Sequence, residues 1–259
     1  PDIAVDGAGT VQCLTPVFDG IPDIDKMMPG KYVIVPYIFK DKYVTYAFSY
    51  TGGALIQWAT DSLAKDEKFK AKEQGIPVNE YLENEYNSKR IADLLDTDGP
   101  SGMLVLPHFA GAATPYMDTG SKGAIVGLTL DSSVAEIYRG CMEGVCYEMY
   151  INYRNVVAAG AKIKRLHATG GGAHSTTWMQ MKADVLGVPI SALSTVDAGT
   201  VGSAMMTGIA LSCFSDIEDA ANHMIKVKQI YEPRKHYHTE YMEVFSRYEN
   251  LYNALRPLM

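Results

Sequence analysis

Residues 166–175 read Leu-His-Ala-Thr-Gly-Gly-Gly-Ala-His-Ser and place three consecutive glycines between a β-prone run and an amphipathic segment. The residue periods predict a strand over 162–168 and a helix over 176–186, with Ser175 as the N-cap of that helix. Backbone N–H groups and the positive end of the helix dipole can approach an anion or a flat ring at such a junction. The stretch matches neither G-x-x-x-x-G-K-[ST] nor G-x-G-x-x-G, so a turn that needs glycine only for its geometry is the competing interpretation.

Two further glycine-rich corners precede this one in the chain. Residues 6–10, Asp-Gly-Ala-Gly-Thr, separate two β-prone runs and predict a hairpin whose turn can wrap a phosphate in a nest of backbone N–H groups. Residues 123–129, Gly-Ala-Ile-Val-Gly-Leu-Thr, lead into a capping box formed by Ser133 and Glu136. Hairpins of this composition are usually only turns, but three such corners in one chain suggest a shared ligand.

The remaining pattern predicts a mixed sheet with helices packed on it. The first fifty residues favour antiparallel strands, because a second hairpin with its turn at 40–42 follows the one at 6–10. Helical periods follow at 55–63, 78–95 and 134–159, the charged stretch 65–74 indicates a solvated helix end or loop, and a long glycine- and proline-rich connection follows a strand at 103–106. Strands and helices then alternate, with strands at 188–190 and 225–230 and helices at 200–213, near 216 and at 235–255. The fold class is therefore α/β.

Composition excludes several classes of partner. The chain has 259 residues, 47% hydrophobic and 20% charged, and a net charge of -7, so it lacks the basic surplus that nucleic acid or an anionic membrane would require. No apolar run approaches the roughly 20 residues that a bilayer span needs, and the opening lacks a signal-peptide pattern. We expect a cytoplasmic location. Cys13, Cys141, Cys146 and Cys213 form no C-x-x-C pair and are expected to be buried thiols.

The ordered motifs resemble the carboxyl-terminal lobe of the FGGY carbohydrate kinases, which include xylulokinase, fuculokinase, gluconokinase and glycerol kinase. Residues 123–128 and the positions Glu136, Ile137 and Glu143 follow the second signature of that family, whereas Gly140 stands where Ala or Ser is usual and Cys141 departs from it mildly. The loop at 106–118, the glycine run through Pro189, the two motifs at 197–204 and the end at 231–233 come in the family's order. The resemblance covers essentially the whole chain.

The resemblance implies a ribonuclease H-like, actin-like ATPase lobe over residues 1–259, with the amino-terminal lobe absent from this chain. It places the hairpin at the phosphates of ATP, where Ala8 replaces a frequent Thr and leaves Thr10 as the nearby hydroxyl. It also places Gly127 beside the phosphates, Gly171 and Gly172 against the adenosine, and Ser175 near the adenine. The implied nucleotide-binding residues are Gly7, Ala8, Gly9, Thr10, Gly127, Gly171, Gly172 and Ser175.

The implied activity is ATP-dependent phosphorylation of a sugar or polyol hydroxyl. The family's D-x-G-T phosphate loop lies near the start of its members, and the one D-x-G-T match here, at 197–200, falls among the carboxyl-terminal motifs instead; the G-D-[QN] motif with the catalytic Asp is not in this sequence. We therefore expect no catalytic residue, Mg²⁺ ligands from the other lobe, and no kinase activity from this chain alone. Expected partners are ATP or ADP and the sugar, with a homodimer of the full-length protein as a possibility. Residues 111–113, Gly-Ala-Ala, stand where several relatives have Gly-Glu-Arg, which leaves the sugar open. The alternatives are a non-catalytic actin-like nucleotide-binding regulator and a sugar-binding or purely structural domain.

Overall fold

A six-stranded mixed sheet lies at the centre of the computed structural model, which describes residues 2–195 and 197–259. Pro1 and Val196 belong to the predicted lobe 1–259 but lie outside the described residues. The strands are β1 (Ile3–Ala8), β2 (Gln12–Thr15), β3 (Val17–Phe18), β4 (Ile34–Pro36), β5 (Tyr43–Thr45), β6 (Ala47–Ser49), β7 (Leu104–Leu106), β8 (Ala124–Val126), β9 (Arg165–Thr169), β10 (Ile190–Leu193) and β11 (Val227–Tyr231).

The helices come mainly after the amino-terminal hairpins, as predicted. They are α1 (Ile24–Met27), α2 (Gly53–Ser62), α3 (Lys65–Gln74), α4 (Val78–Ala92), α5 (Val134–Ala158), α6 (Thr176–Leu186), α7 (Ala198–Ala210), α8 (Ile217–Met224), α9 (Lys235–Tyr248) and α10 (Leu251–Leu255). Short 3₁₀ turns span Gly171–His174 and Arg256–Leu258. None of the described helices is long and apolar enough to cross a bilayer.

The strand order β11-β10-β9-β1-β2-β6 brings two glycine corners to one edge of the sheet. β1 pairs antiparallel with β2 and parallel with β9, and Gly7 lies opposite Thr169 in the parallel register. Parallel strands end at the same edge, so the turn after β1 and the glycine run after β9 emerge side by side. The mixed sheet predicted from the sequence is confirmed.

Helices α5 and α6 cover one face of this sheet with apolar side chains. Ala4, Leu14 and Leu166 from the strands and Met149 and Met179 from the helices are fully buried in one cluster. A second cluster joins α5 to α2, α4, β7 and α9. α5 begins at the predicted capping box, since the Ser133 side chain accepts from Glu136 N and the Glu136 side chain accepts from Ser133 N.

Several local expectations are corrected by the structure. Residues 65–74 form a regular helix whose charged side chains remain at the surface, and Gly75 ends it in the left-handed conformation. The glycine-flanked stretch 123–127 contains the strand β8, which pairs with β7. The hairpin turn begins only at Gly9, because residues 6–8 belong to β1. Cys141 and Cys146 are buried as expected, but Cys13 is only half-buried and Cys213 is exposed.

Candidate functional site

A cavity of about 1090 Å³ opens where the β1–β2 turn meets the corner between β9 and α6. Ligand pockets for drug-sized molecules span roughly 300–1,000 Å³, so a nucleotide fits this volume. Of the predicted site residues, six line the cavity: Ala8, Gly9, Thr10, Gly171, Gly172 and Ser175. Two corners that are far apart in sequence thus face one space.

The other two predicted residues do not line this cavity. Gly7 lies inside β1, between Cys13 on β2 and Thr169 on β9. Gly127 directly follows β8 with φ of 100°, and the atom nearest to a Cβ built there is Met103 Cα at 3.9 Å. The place of Gly127 beside the phosphates stays a prediction.

The turn of the hairpin is held against the start of α2. Gly9 O accepts a hydrogen bond from Gly53 N at 2.8 Å, and Thr10 O accepts from Gly52 N at 2.9 Å. A Cβ on Gly53 would lie 2.8 Å from Gly9 O, so the close approach requires glycine there. These N–H groups of the α2 terminus are used by the hairpin, which fixes the turn at the cavity. The sequence pattern predicted a helix at 55–63 but not that Gly52 and Gly53 just before it contact the hairpin turn.

The three glycines after β9 have different physical roles. Gly170 has φ of 92°, and a Cβ on it would lie 2.7 Å from Ala8 O. A Cβ on Gly172 would lie 3.0 Å from both Ala8 O and Trp178 Cζ3. Gly171, in contrast, has no heavy atom within 4 Å of its Cβ position. Two glycines therefore permit the close packing of the corner, and Gly171 presents bare backbone to the cavity.

The helix after this corner starts as predicted. The Ser175 hydroxyl accepts a hydrogen bond from Trp178 N at 3.1 Å and caps α6. The first turn of α6 adds Thr176 and Trp178 to the cavity wall. The capped, positive end of a helix dipole therefore faces the ligand space.

A buried polar cluster connects the β1–β2 hairpin to α6. Lys182 on α6 donates to Asp6 Oδ2 at 2.9 Å and to Gln12 Oε1 at 2.8 Å, and both Lys182 and Asp6 are fully buried. The Lys182 ammonium also lies 4.8 Å from the ring centroid of Trp178. Because Asp6 lies on β1 and Gln12 on β2, the paired ammonium of Lys182 connects both strands of the hairpin to α6. The sequence analysis missed this cluster because its members are distant in sequence.

The charged groups on the cavity wall are acidic. Glu80 and Glu83 of α4 line the cavity, and none of the described lining residues is Lys or Arg. Glu83 is half-buried and its Oε2 accepts a hydrogen bond from the Thr177 hydroxyl at 2.7 Å. Burial raises the pKa of the Glu83 carboxyl, and the hydrogen bond from Thr177 acts in the opposite direction. Such a wall favours an uncharged ring system with hydrogen-bond donors over a bare polyphosphate.

The described residues contain no cluster of three or more His, Cys, Asp or Glu side chains suited to a metal ion. Mg²⁺ in kinases usually takes one or two carboxylates together with phosphate oxygens and water. The acidic side chains on the cavity wall, Glu80 and Glu83, do not by themselves make such a site.

Comparisons with known proteins agree with the predicted family and fold. The family model for the FGGY family of carbohydrate kinases, C-terminal domain, matches residues 25–211 of this chain. The chain is 27% identical over 218 residues to a xylulose kinase of Staphylococcus epidermidis, covering 84% of this chain and 40% of that protein. It is 29% identical over 198 residues to glycerol kinase 1 of Clostridium tetani, covering 74% of this chain and 36% of that protein.

Solved structures show the same fold. A ligand-bound xylulose kinase from Lactobacillus acidophilus superposes with a TM-score of 0.78 at 22% identity, over 98% of this chain and 48% of that one. Plasmodium falciparum glycerol kinase with ADP superposes with a TM-score of 0.71 at 14% identity, over 94% of this chain and 46% of that one. The predicted α/β fold of the actin-like ATPase type is thereby confirmed, and the chain spans less than half the length of each of these proteins.

Proposed function

This chain belongs to the FGGY family of carbohydrate kinases, and from that premise we propose that residues 1–259 form the carboxyl-terminal, nucleotide-binding lobe of an ATP-dependent kinase acting on a sugar or polyol hydroxyl. The observation that carries the proposal is the single cavity shared by the hairpin turn and the glycine corner. Relatives with the same fold include kinases named for xylulose and for glycerol, which supports the substrate class.

Within that function the residues of this chain bind and orient the nucleotide. We assign Gly171, Gly172 and Ser175 to the adenosine end of the cavity, and Gly9 with the exposed Thr10 to the phosphate end. Gly7 and Gly127 complete the proposed set as residues adjacent to the phosphates. Backbone at the turn and at Gly171 offers hydrogen-bonding groups without side-chain obstruction.

Phosphoryl transfer itself needs further groups. A base must take the proton of the sugar hydroxyl while that oxygen attacks the γ-phosphorus and ADP leaves, and Mg²⁺ normally shields the phosphate charge. The sequence has no G-D-[QN] motif for the catalytic Asp, and its one D-x-G-T match, at 197–200, caps α7 through Asp197 instead of forming a hairpin loop. We therefore propose that the base, the Mg²⁺ ligands and most sugar contacts come from the other lobe of the full-length protein, which we place in the cytoplasm because ATP is available there.

Calorimetric titration of the purified chain with ADP tests the nucleotide site. A Gly171→Val variant should abolish ADP binding, because its Cβ position has no heavy atom within 4 Å and the side chain would occupy cavity space. Gly202→Val is the matched control, since Gly202 in α7 has an equally open Cβ position and lies outside this cavity. Failure of the unmodified chain to bind ADP, or unchanged ADP affinity in Gly171→Val, would contradict the proposal.

A further inference from the structure

We propose that Glu83 is a specificity-determining residue of the cavity, and that its carboxylate accepts a hydrogen bond from the exocyclic amino group of adenine. The inference rests on the proposed nucleotide-binding function and adds the group that selects the base. No motif in the sequence pointed to Glu83, because it lies on α4, remote in sequence from every glycine corner.

The surroundings of Glu83 have the character of a nucleobase site. Tyr138 and Met142 of α5 and Trp178 of α6 line the same cavity and provide apolar surface. Gly171 and Gly172 form another part of the lining and leave room for a flat ring. A mostly apolar pocket with a few placed polar groups is the usual arrangement for binding such a ring with a defined orientation.

The orientation of the Glu83 carboxylate is set by its neighbours. Oε2 accepts the hydrogen bond from Thr177, which lies in the first turn of α6, two residues after Ser175. The carboxylate is therefore fixed relative to the glycine corner on which we place the adenosine. Thr177 engages Oε2 and the Ser175 hydroxyl also interacts with the carboxylate, so a ligand meets one remaining acceptor position, on Oε1, rather than both oxygens.

One available acceptor oxygen distinguishes among purines. Adenine presents an amino group at position 6, which can donate one hydrogen bond to Oε1, whereas hypoxanthine and guanine present a carbonyl oxygen that a carboxylate repels. Guanine also carries two adjacent donors on another edge, and these are best matched by both oxygens of a carboxylate. The geometry at Glu83 thus favours an adenine nucleotide.

The positive charge nearest to this carboxylate is engaged elsewhere. None of the described residues that line the cavity is Lys or Arg, and Arg139, whose charge acts on Glu83 from outside the cavity, donates its hydrogen bonds to Glu143 and Tyr241. Glu80 also lines the cavity, but it is exposed and one turn closer to the start of α4. Glu80 therefore provides a control with the same change of charge at a neighbouring place.

The test is calorimetric titration of ADP, IDP, GDP and CDP into the unmodified chain, Glu83→Gln and Glu80→Gln. We expect the unmodified chain to prefer ADP to IDP at least tenfold, and Glu83→Gln to reduce this ratio to near unity because an amide can donate to a carbonyl oxygen. Glu80→Gln should leave the ratio unchanged. Thermal unfolding of each variant checks that the fold is retained.

A second variant addresses the orientation. Thr177→Val frees Oε2, so the ratio of GDP to ADP affinity should rise if the carboxylate reads the base. An unchanged ADP to IDP ratio in Glu83→Gln, or tighter binding of GDP or CDP than of ADP by the unmodified chain, would overturn the role of Glu83 alone. If none of the four diphosphates binds, both this inference and the proposed nucleotide site are wrong.

Discussion

At the scale of single residues, identical glycines in one run have separable roles. Gly172 is enclosed by Ala8 and Trp178, while Gly171 faces open space. The sequence predicted the glycine corner and the cap at Ser175, because both depend on local preferences. It could not tell which glycine is packed and which is open, since that depends on the neighbouring strand.

We expect Gly172→Ala to destabilise the fold by about 1–3 kcal/mol, because the added Cβ would meet Ala8 O and Trp178 Cζ3 at 3.0 Å. Gly171→Ala should change the unfolding free energy by less than about 0.5 kcal/mol, the usual range at an unobstructed position. Urea denaturation measures both variants. Equal losses would show that the packing around Gly172 relaxes without penalty.

The buried pair of Asp6 and Lys182 allows a sharper test. Lys182→Met should lose about 3–5 kcal/mol of stability, because Asp6 would remain buried without a cation. Asp6→Asn combined with Lys182→Met should recover part of that loss, since no uncompensated charge is left. Urea denaturation of the single and double variants gives the comparison. A double variant no more stable than Lys182→Met would argue against a charge penalty.

At the scale of elements, helices with a clear apolar period could be predicted from the sequence, whereas elements with a weak residue pattern could not. The capping box and the apolar spacing placed α5 to within a residue of its observed bounds. α3 was missed as a full helix because its sequence is charged on nearly every side and has no apolar face to reveal a period. β8 was missed because glycines flank a strand of three residues.

The extent of β1 shows a different kind of error. Asp6 suggested a turn, because aspartate beside glycine is typical of turns. In the structure it is a strand residue, and its partner Lys182 lies on a helix far along the chain. A local window cannot contain that partner, so the hairpin was predicted correctly and its turn was placed too early.

The close packing of α5 on β7 gives a prediction at this scale. A Cβ on Gly144 would lie 2.2 Å from Val105 O, whereas a Cβ on Gly140 would meet only side-chain atoms, the nearest being Val105 Cγ2 at 3.1 Å. Backbone cannot give way as a methyl group can, so Gly144→Ala should cost about 2 kcal/mol or more and Gly140→Ala less than about 1 kcal/mol. Thermal unfolding measures which of the two variants loses more stability. The reverse order would contradict the packing argument.

At the scale of the whole molecule, the candidate site was predicted in part. The glycine patterns marked both corners that line the cavity and the resemblance placed them at one nucleotide, although periodicity alone could not show that they meet. The contribution of α4 went unnoticed, because Glu80 and Glu83 look like ordinary surface residues of an amphipathic helix. Their place on the cavity wall becomes visible only when α4 is packed against α5.

The charge of the cavity wall predicts how binding depends on the ligand and on salt. Because the described lining has two carboxylates and no Lys or Arg, the phosphates of ADP should add little affinity. We expect adenosine to bind within about tenfold of ADP, and ADP affinity to stay level or rise slightly between low and moderate salt, because salt screens the repulsion between the phosphates and the two carboxylates. Calorimetry at two salt concentrations measures this. A hundredfold preference for ADP, lost at high salt, would indicate cationic groups at the site.

The parallel pairing of β1 with β9 has a consequence for folding. These neighbours at the sheet centre are separated by well over half of the polypeptide, so joining them closes a very large loop and is an inherently slow event. The cavity walls on either side of that seam cannot come together before it closes. Recovery of ligand capture after dilution from denaturant should therefore lag behind the early return of helical signal.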